Sequence, residues 1–252
     1  LTHRGKHLGE AVPMCGVPFH ASEGYLQRLI RAGFKVAICE QMEEPSEAKK
    51  RGSKAVVRRD VVRLVTAGTL SEDALLEARR NNFLAALACL GTDARPEWAL
   101  AWLDMSTGEF FVRPTAPDGL VALLARLAPG ELLLPDTAIM ARRLVDEMLA
   151  PPLVGTIEAL DSMAAFDLLG QEFGADAVSP LRDARSLCVA AGQALAYVQA
   201  TQFDSALCLR PPQAERDLAL MAVDAASLAN LEILRTQSGE TSGSLLDAID
   251  MS

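Results

Sequence analysis

Apolar and polar residues alternate at two different periods along this chain, and each change of period marks an element. Tyr25, Leu26, Leu29 and Ile30 recur at helical spacing with Arg28 and Arg31 off the stripe, and Gly33 supplies a stop, which predicts one short amphipathic helix over residues 22–33. The preceding run Pro13-Met14-Cys15-Gly16-Val17-Pro18 is too rich in proline and glycine for a helix interior. Residues 34–41 read as a buried strand, 45–53 as an exposed basic loop, and 55–66 as a long strand rich in valine. This first unit, residues 1–69, is therefore mixed α/β.

A polar, helix-prone joint over residues 71–80 follows, and then three strand-like segments at 83–90, 98–104 and 109–113. Ser106-Thr107-Gly108 between the last two is a tight-turn signal. A helix at 119–127, a strand at 131–134 and a helix near 138–149 complete a pattern that predicts a sheet covered by helices, as in ribonuclease-H-like folds. This second unit is placed at residues 70–181. From Pro180 the character changes to alanine- and leucine-rich helices at 184–200 and 222–235, so residues 182–252 read as the start of an all-helical region. Leu187, Leu195, Leu228 and Leu231 are expected in its core.

Half of the 252 residues are hydrophobic, enough to bury real cores. No run approaches the roughly 18–20 apolar residues of a membrane span, and the first residues lack a signal-peptide core, so a soluble cytoplasmic protein is expected. Cys15, Cys39, Cys89, Cys188 and Cys208 lie in apolar surroundings without CxxC spacing and are expected as buried thiols. The only histidines are His3, His7 and His20, with Cys15 the one cysteine near them in sequence. That set falls short of four converging zinc ligands, and no metal site is expected.

The net charge of -9 hides a split. Residues 1–69 carry 12 Lys/Arg against 7 Asp/Glu, whereas residues 70–252 carry 12 against 26, so a net +5 segment precedes a net -14 segment. All five lysines fall in the first. Such asymmetry suits one end that meets a polyanion and a remainder that faces solvent or protein partners.

Thr2-His3-Arg4-Gly5 and Pro13-Met14-Cys15-Gly16-Val17-Pro18-Phe19-His20-Ala21 resemble the mismatch-recognition domain of the MutS family. Val36-Ala37-Ile38-Cys39-Glu40-Gln41 is similar to that domain's buried strand. Residues 61–69, Val-Val-Arg-Leu-Val-Thr-Ala-Gly-Thr, are similar to its exit into the connector domain. Asp224-Ala225-Ala226-Ser227-Leu228-Ala229-Asn230-Leu231-Glu232 resembles the beginning of the family's helical core. The matches run in family order. The resemblance implies recognition of mispaired or unpaired bases in duplex DNA by an ATP- and Mg-dependent dimer that recruits a MutL-type partner in the nucleoid-associated cytoplasm.

The family inserts an aromatic ring from a Phe-Xaa-Glu motif beside the mispair, which favours easily kinked DNA. That motif is expected upstream of Thr2. An ATPase needs a glycine-rich loop ending in Gly-Lys-Ser/Thr. The only Gly-Lys pair here is Gly5-Lys6, followed by His7, so these residues hold no cofactor site and no catalytic activity is expected of them. A relative that binds DNA generally, or acts in recombination without sensing mismatches, is the other reading.

By the resemblance, Arg4, Pro13, Met14, Gly16 and Pro18 lie near DNA, with glycine allowing close backbone approach and proline fixing the loop. The alternative is a tight turn anchored by Met14 in the core. Lys49, Lys50, Arg51 and Lys54 form a basic cluster suited to phosphate contacts, and Arg58, Arg59 and Arg63 stand in strand context where one face would reach a phosphate. A ribonuclease-H-like sheet also raises the question of a nuclease, which holds metal ions with carboxylates on adjacent strands. Segment 83–90 carries no acidic residue, and Asp104 and Glu109 flank a turn, so they read as turn and edge residues.

Overall fold

The computed structural model describes residues 2–52, 55–70, 81–92, 94–203, 208–215, 225–234, 236–238, 240 and 242–249. Its first element is a hairpin that the apolar pattern does not reveal, β1 (Thr2–His7) against β2 (Glu10–Met14). Leu8 and Gly9 join them with φ of 51° and 89°, the double positive φ of a two-residue turn that matches strand twist. The register shifts between His3 and Lys6, so Arg4 and Gly5 together oppose Val12 as a bulge.

A short 3-10 turn, Phe19–Ala21, leads into α1 (Ser22–Arg31), the helix expected from the Tyr25 stripe. It ends as expected at Gly33, φ 83°. There the Gly33 N–H donates to the Ile30 carbonyl at 2.9 Å and the Phe34 N–H to Leu29 at 3.0 Å, a Schellman closure. Ile30 is buried with Val65 and Leu70, and Leu26, Val36 and Ile38 pack around them. Tyr25 and Leu29 remain half exposed.

β3 (Val36–Gln41) and β4 (Arg59–Val65) form an antiparallel ribbon with an irregularity between Ile38 and Cys39. The strand expected as buried is exposed at four of its six positions. β4 starts at Arg59 rather than Ala55, because β3 ends at Gln41 and offers the earlier residues no ladder partner. Between them the expected loop contains a helix, α2 (Pro45–Lys50). Pro45 at its start fixes φ, while Glu47 in the first turn and Lys49 and Lys50 in the last complement the helix dipole.

Val65, Thr66, Gly68, Thr69 and Leu70 are buried, so the exit from this ribbon is a packed joint. Its continuation expected as helix-prone, residues 71–80, lies outside the described residues.

The second unit is a six-stranded sheet. β5 (Phe83–Thr92), β6 (Arg95–Asp104) and β7 (Phe110–Thr115) run as an antiparallel meander. α3 (Pro117–Leu127) then returns the chain to β8 (Glu131–Pro135), parallel to β5. α4 (Ile139–Asp146) returns it to β9 (Leu153–Ile157), parallel to β8. α5 (Ser162–Phe173) starts with the Asp161 carboxylate accepting from the Met163 and Ala164 N–H groups at 2.8 and 2.9 Å. After α6 (Ala175–Val178) and a 3-10 turn, Ser179–Leu181, comes α7 (Arg185–Thr201). Further on, β10 (Gln213–Ala214) runs parallel to β7, giving the order β10-β7-β6-β5-β8-β9.

Side chains on the two faces of the sheet differ in size. Ala86, Ala88, Ala99 and Ala101 face α7 and α5, whereas Leu87, Trp98, Leu100 and Trp102 face α3 and α4. Small strand residues let the alanine-rich α7 settle close: Ala190, Ala191, Gly192 and Ala194 are all buried, and a Cβ on Gly192 would stand 2.6 Å from the Ala165 Cβ. The helix expected at 184–200 is thus present, but it is the central cover of the sheet rather than part of a separate helical region.

Beyond β10 the described residues hold two short helices, α8 (Ala225–Asn230) and α9 (Leu245–Ile249). The helix expected to reach residue 235 ends near Asn230, where Glu232 takes φ 49°; residues 222–224 and 235 lie outside the described set. Leu195 is fully buried and Leu187 packs against the core as expected, but Leu231 is exposed. Among the described residues no helix is long and apolar enough to cross a membrane.

Candidate nucleic-acid interface

The candidate DNA-facing residues lie in or beside two separate two-stranded sheets. On the first, Arg4 stands at the register shift of β1. Pro13 pairs with His3, and Met14 closes β2. Gly16 and Pro18 are exposed in the stretch before the 3-10 turn. Met14 is 42% exposed, so it does not anchor a turn in the core. Gly16 has an ordinary φ, and among the described residues a Cβ there would meet nothing within 4 Å. Among the described residues, neither packing nor backbone conformation requires glycine at this position.

On the second sheet, Lys49 and Lys50 are exposed in the last turn of α2, and Arg51 follows as its cap. Arg51 is already engaged: its guanidinium donates to the Glu43 carboxylate and, at 3.3 Å, to the Val56 carbonyl. The same Glu43 oxygen accepts from the Arg58 backbone N–H at 2.6 Å. Glu43 thus closes the end of the ribbon, and Arg51 has a structural role beside any phosphate contact. Arg58 and Arg59 have exposed side chains, whereas Arg63 is half buried and donates to the Thr69 carbonyl at 3.2 Å, which assigns it to the joint. Lys54 lies outside the described residues.

The ribbon end is not uniformly basic. Glu43, Glu44 and Glu47, with Gln41, Met42 and Pro45, line an open depression beside the lysines. A polyanion would approach from the side of Lys49 and Lys50 and be repelled from this depression. Sequence spacing alone shows the cations but not which of them already has a carboxylate partner.

Asp104 holds the turn that follows β6. Its side chain is fully buried at the end of β6. Oδ1 accepts from the Ser106 N–H at 2.8 Å and hydroxyl at 2.6 Å, and Oδ2 accepts from the Asn82 N–H at 3.0 Å. The Asp104 N–H in turn donates to the Glu109 carbonyl at 3.0 Å. These bonds define the β6–β7 turn and tie it to the start of β5, which is the turn role expected of Asp104. Among the described residues no three His, Cys, Asp or Glu side chains gather as a metal site.

The cysteines are less buried than their neighbours in sequence suggest. Cys15, Cys39 and Cys208 are exposed, because the strand and loops that carry them face outward; Cys188 is buried and Cys89 partly so. Burial pushes the Cys89 thiol up to about 12 and raises that of Cys188 as well.

Comparison with known proteins places these elements in a family. The family model for MutS domain I matches residues 1–74, and that for MutS domain II matches residues 82–209, which includes α7. A protein of Ruegeria pomeroyi named DNA mismatch repair protein MutS is 51% identical over 253 residues, covering 99% of this chain. Proteins of the same name from Paracoccus denitrificans and Rhizobium meliloti are 49% and 43% identical over 100% and 99% of the chain. The chain spans 28% of the length of each of these relatives.

Proposed function

The chain belongs to the MutS family, and we propose that it supplies part of the mismatch-recognition domain and the connector domain of a protein that binds mispaired or unpaired bases in duplex DNA. The observation that carries this reading is the set of exposed cations, Lys49, Lys50 and Arg58, in the segment that joins the two strands of a ribbon within the domain I match, in a chain otherwise strongly acidic. Contacts of this kind position a protein on the duplex without reading its sequence. Arg4 at its bulge and the open backbone at Gly16 form a second approach to the duplex, supported by the absence of an internal reason for that glycine.

The 252 residues contain neither Phe-Xaa-Glu nor Gly-Lys-Ser/Thr. Insertion beside the mispair and the use of ATP and Mg are accordingly assigned to other segments of the parent protein, and no residue here is assigned to either. The connector is ribonuclease-H-like: the order β7-β6-β5-β8-β9, with β6 antiparallel to its neighbours and β8 and β9 parallel to β5, supports that assignment. Its limits run from about residue 82 through α7, on the packing of that helix against β5 and β6. α8 and α9 begin the helical core. The acidic surface of the connector docks a MutL-type partner, and the parent works as a homodimer in the nucleoid-associated cytoplasm.

A segment exchange tests the reading in a whole protein. The matching segment of the Ruegeria pomeroyi relative is replaced by this chain, and the chimaera is expressed in a strain lacking its own copy. A return to a low spontaneous mutation rate is expected. A chimaera that accumulates to normal levels and leaves the strain a mutator would overturn it.

A further inference from the structure

The seam between the first module and the sheet is closed by a buried charge. Glu131, at the start of β8, is 3% exposed. Its Oε1 accepts from the Tyr197 hydroxyl of α7 at 2.7 Å and lies 3.5 Å from Lys35 Nζ, while Oε2 accepts from the Gly68 N–H at 3.2 Å. Lys35 Nζ also donates to the Tyr197 oxygen at 3.0 Å and sits 5.1 Å from the centre of its ring. One carboxylate thus holds the turn before β3, the joint after β4, and the helix that covers the sheet.

Three glycines clear the space around it, each with an ordinary φ. A Cβ on Gly155 would stand 2.8 Å from Glu131 Oε1, one on Gly68 2.6 Å from a Leu84 methyl, and one on Gly130 2.8 Å from the Ala67 carbonyl oxygen. Close approach rather than backbone conformation explains them. Asn82 adds a hydrogen bond from its amide to that same Ala67 oxygen at 2.9 Å. Burial, and then the charge and hydrogen bond of Glu131, raise the Tyr197 phenol, which keeps it a neutral donor to the carboxylate.

We propose that Lys35, Glu131 and Tyr197 form a latch that fixes the orientation of the module from α1 to the joint on the six-stranded sheet, a conformational device distinct from any DNA contact. A buried carboxylate that loses its cation is left uncompensated, whereas removal of both charges relieves the penalty. The seam therefore depends on Lys35 only while Glu131 is charged. Lys35 is 44% exposed at the rim, where it is the accessible element of the latch.

Hydrogen exchange on the full chain tests this without DNA, so its failure and that of the DNA-binding reading are separable. The Gly68 amide, which donates to Glu131, is the direct reporter. In Lys35→Met, exchange at Gly68 and across residues 65–70 is expected to rise about tenfold or more, with the amides of β5 and β6 unchanged. Adding Glu131→Gln to Lys35→Met is expected to restore most of that protection. Tyr197→Phe, which keeps the ring, is expected to loosen residues 65–70 without affecting β6. Unchanged exchange at Gly68 in Lys35→Met would overturn the latch. So would equal loss in the sheet centre, or a double variant no better protected than the single one.

Discussion

Replacing Asp104 by alanine separates a turn-forming carboxylate from a catalytic one. Its two oxygens accept three hydrogen bonds of 2.6–3.0 Å from Ser106 and Asn82, and the side chain is fully buried. Hydrogen bonds to a charged group contribute about 1.5–3 kcal/mol each but do not add independently, and the variant removes the shared acceptor of the Asn82 and Ser106 N–H groups. A loss of about 3–5 kcal/mol follows, a large part of the stability of an ordinary domain. With a urea slope of about 2–3 kcal/mol/M, the midpoint for the sheet unit falls by about 1–2 M. Asp104→Asn keeps one acceptor for Ser106 but sets its NH2 group against the Asn82 N–H, so an intermediate loss of about 2 kcal/mol is expected. The assay is urea unfolding followed by tryptophan fluorescence, since Trp98 and Trp102 both lie on β6. A midpoint shift below about 0.3 M for Asp104→Ala would refute the reasoning, given the losses usual for a buried polar network. Magnesium-dependent DNA cleavage that Asp104→Asn abolishes at unchanged stability would return Asp104 to catalysis.

Other expectations concern thiols, pH and packing. At pH 8 a thiol raised to about 12 is ionised to about one part in ten thousand, so alkylation of Cys89 in the folded chain should run about 10³-fold slower than that of an exposed model thiol. Mass-spectrometric mapping checks this, and labelling of Cys89 as fast as Cys15 or Cys39 would contradict the burial argument. Because the folded-state values of Cys89 and Tyr197 lie above their unfolded ones, their contribution to stability is complete below about pH 8.5 and falls as pH rises through the alkaline range. Urea midpoints at pH 8 and pH 10.5 should show the decline, and a rising midpoint would reverse the sign. Gly192→Leu should cost several kcal/mol through overpacking against Ala165, whereas Gly16→Ala should leave stability within about 0.5 kcal/mol, because nothing lies within 4 Å of the new Cβ.

Much of the sheet was legible because its strands carry their own signal. Residues 84–88 and 98–103 are apolar on both faces, and the turn at Ser106-Thr107-Gly108 separates β6 from β7. β9 is not legible in the sequence because five residues after Pro151-Pro152 hold too little periodicity, and the start of α5 rests on the Asp161 cap rather than on a distinct apolar stripe. The hairpin β1–β2 is polar, and its register rests on the conformation of Leu8 and Gly9. α2 is only one and a half turns long and draws on terminal charges and one buried alanine, Ala48.

At the candidate interface, composition located the cations, and the fold decided their roles. The Glu43 partnership of Arg51 and the burial of Arg63 against Thr69 depend on how β4 returns beside β3. Lys35, Glu131 and Tyr197 are separated by 66 to 162 positions, and no local pattern links them. α7 shows the same limit. Its helical period was plain, but the alanine-faced strands that receive it lie about 90 residues earlier.

The most direct test of the DNA-facing claim is titration of the full chain with a fluorescent duplex at 50 and 200 mM salt, matched and carrying a G·T mispair. Three to four phosphate contacts from Lys49, Lys50, Arg58 and Arg4 imply a loss of affinity of about 40- to 150-fold between those salt concentrations. Lys49→Glu with Lys50→Glu should weaken binding to both duplexes and flatten the salt slope by about 2. The two duplexes should bind alike, since no residue of this chain is assigned to insertion beside the mispair. Binding indifferent to salt, or unchanged by the double charge reversal, would contradict the account.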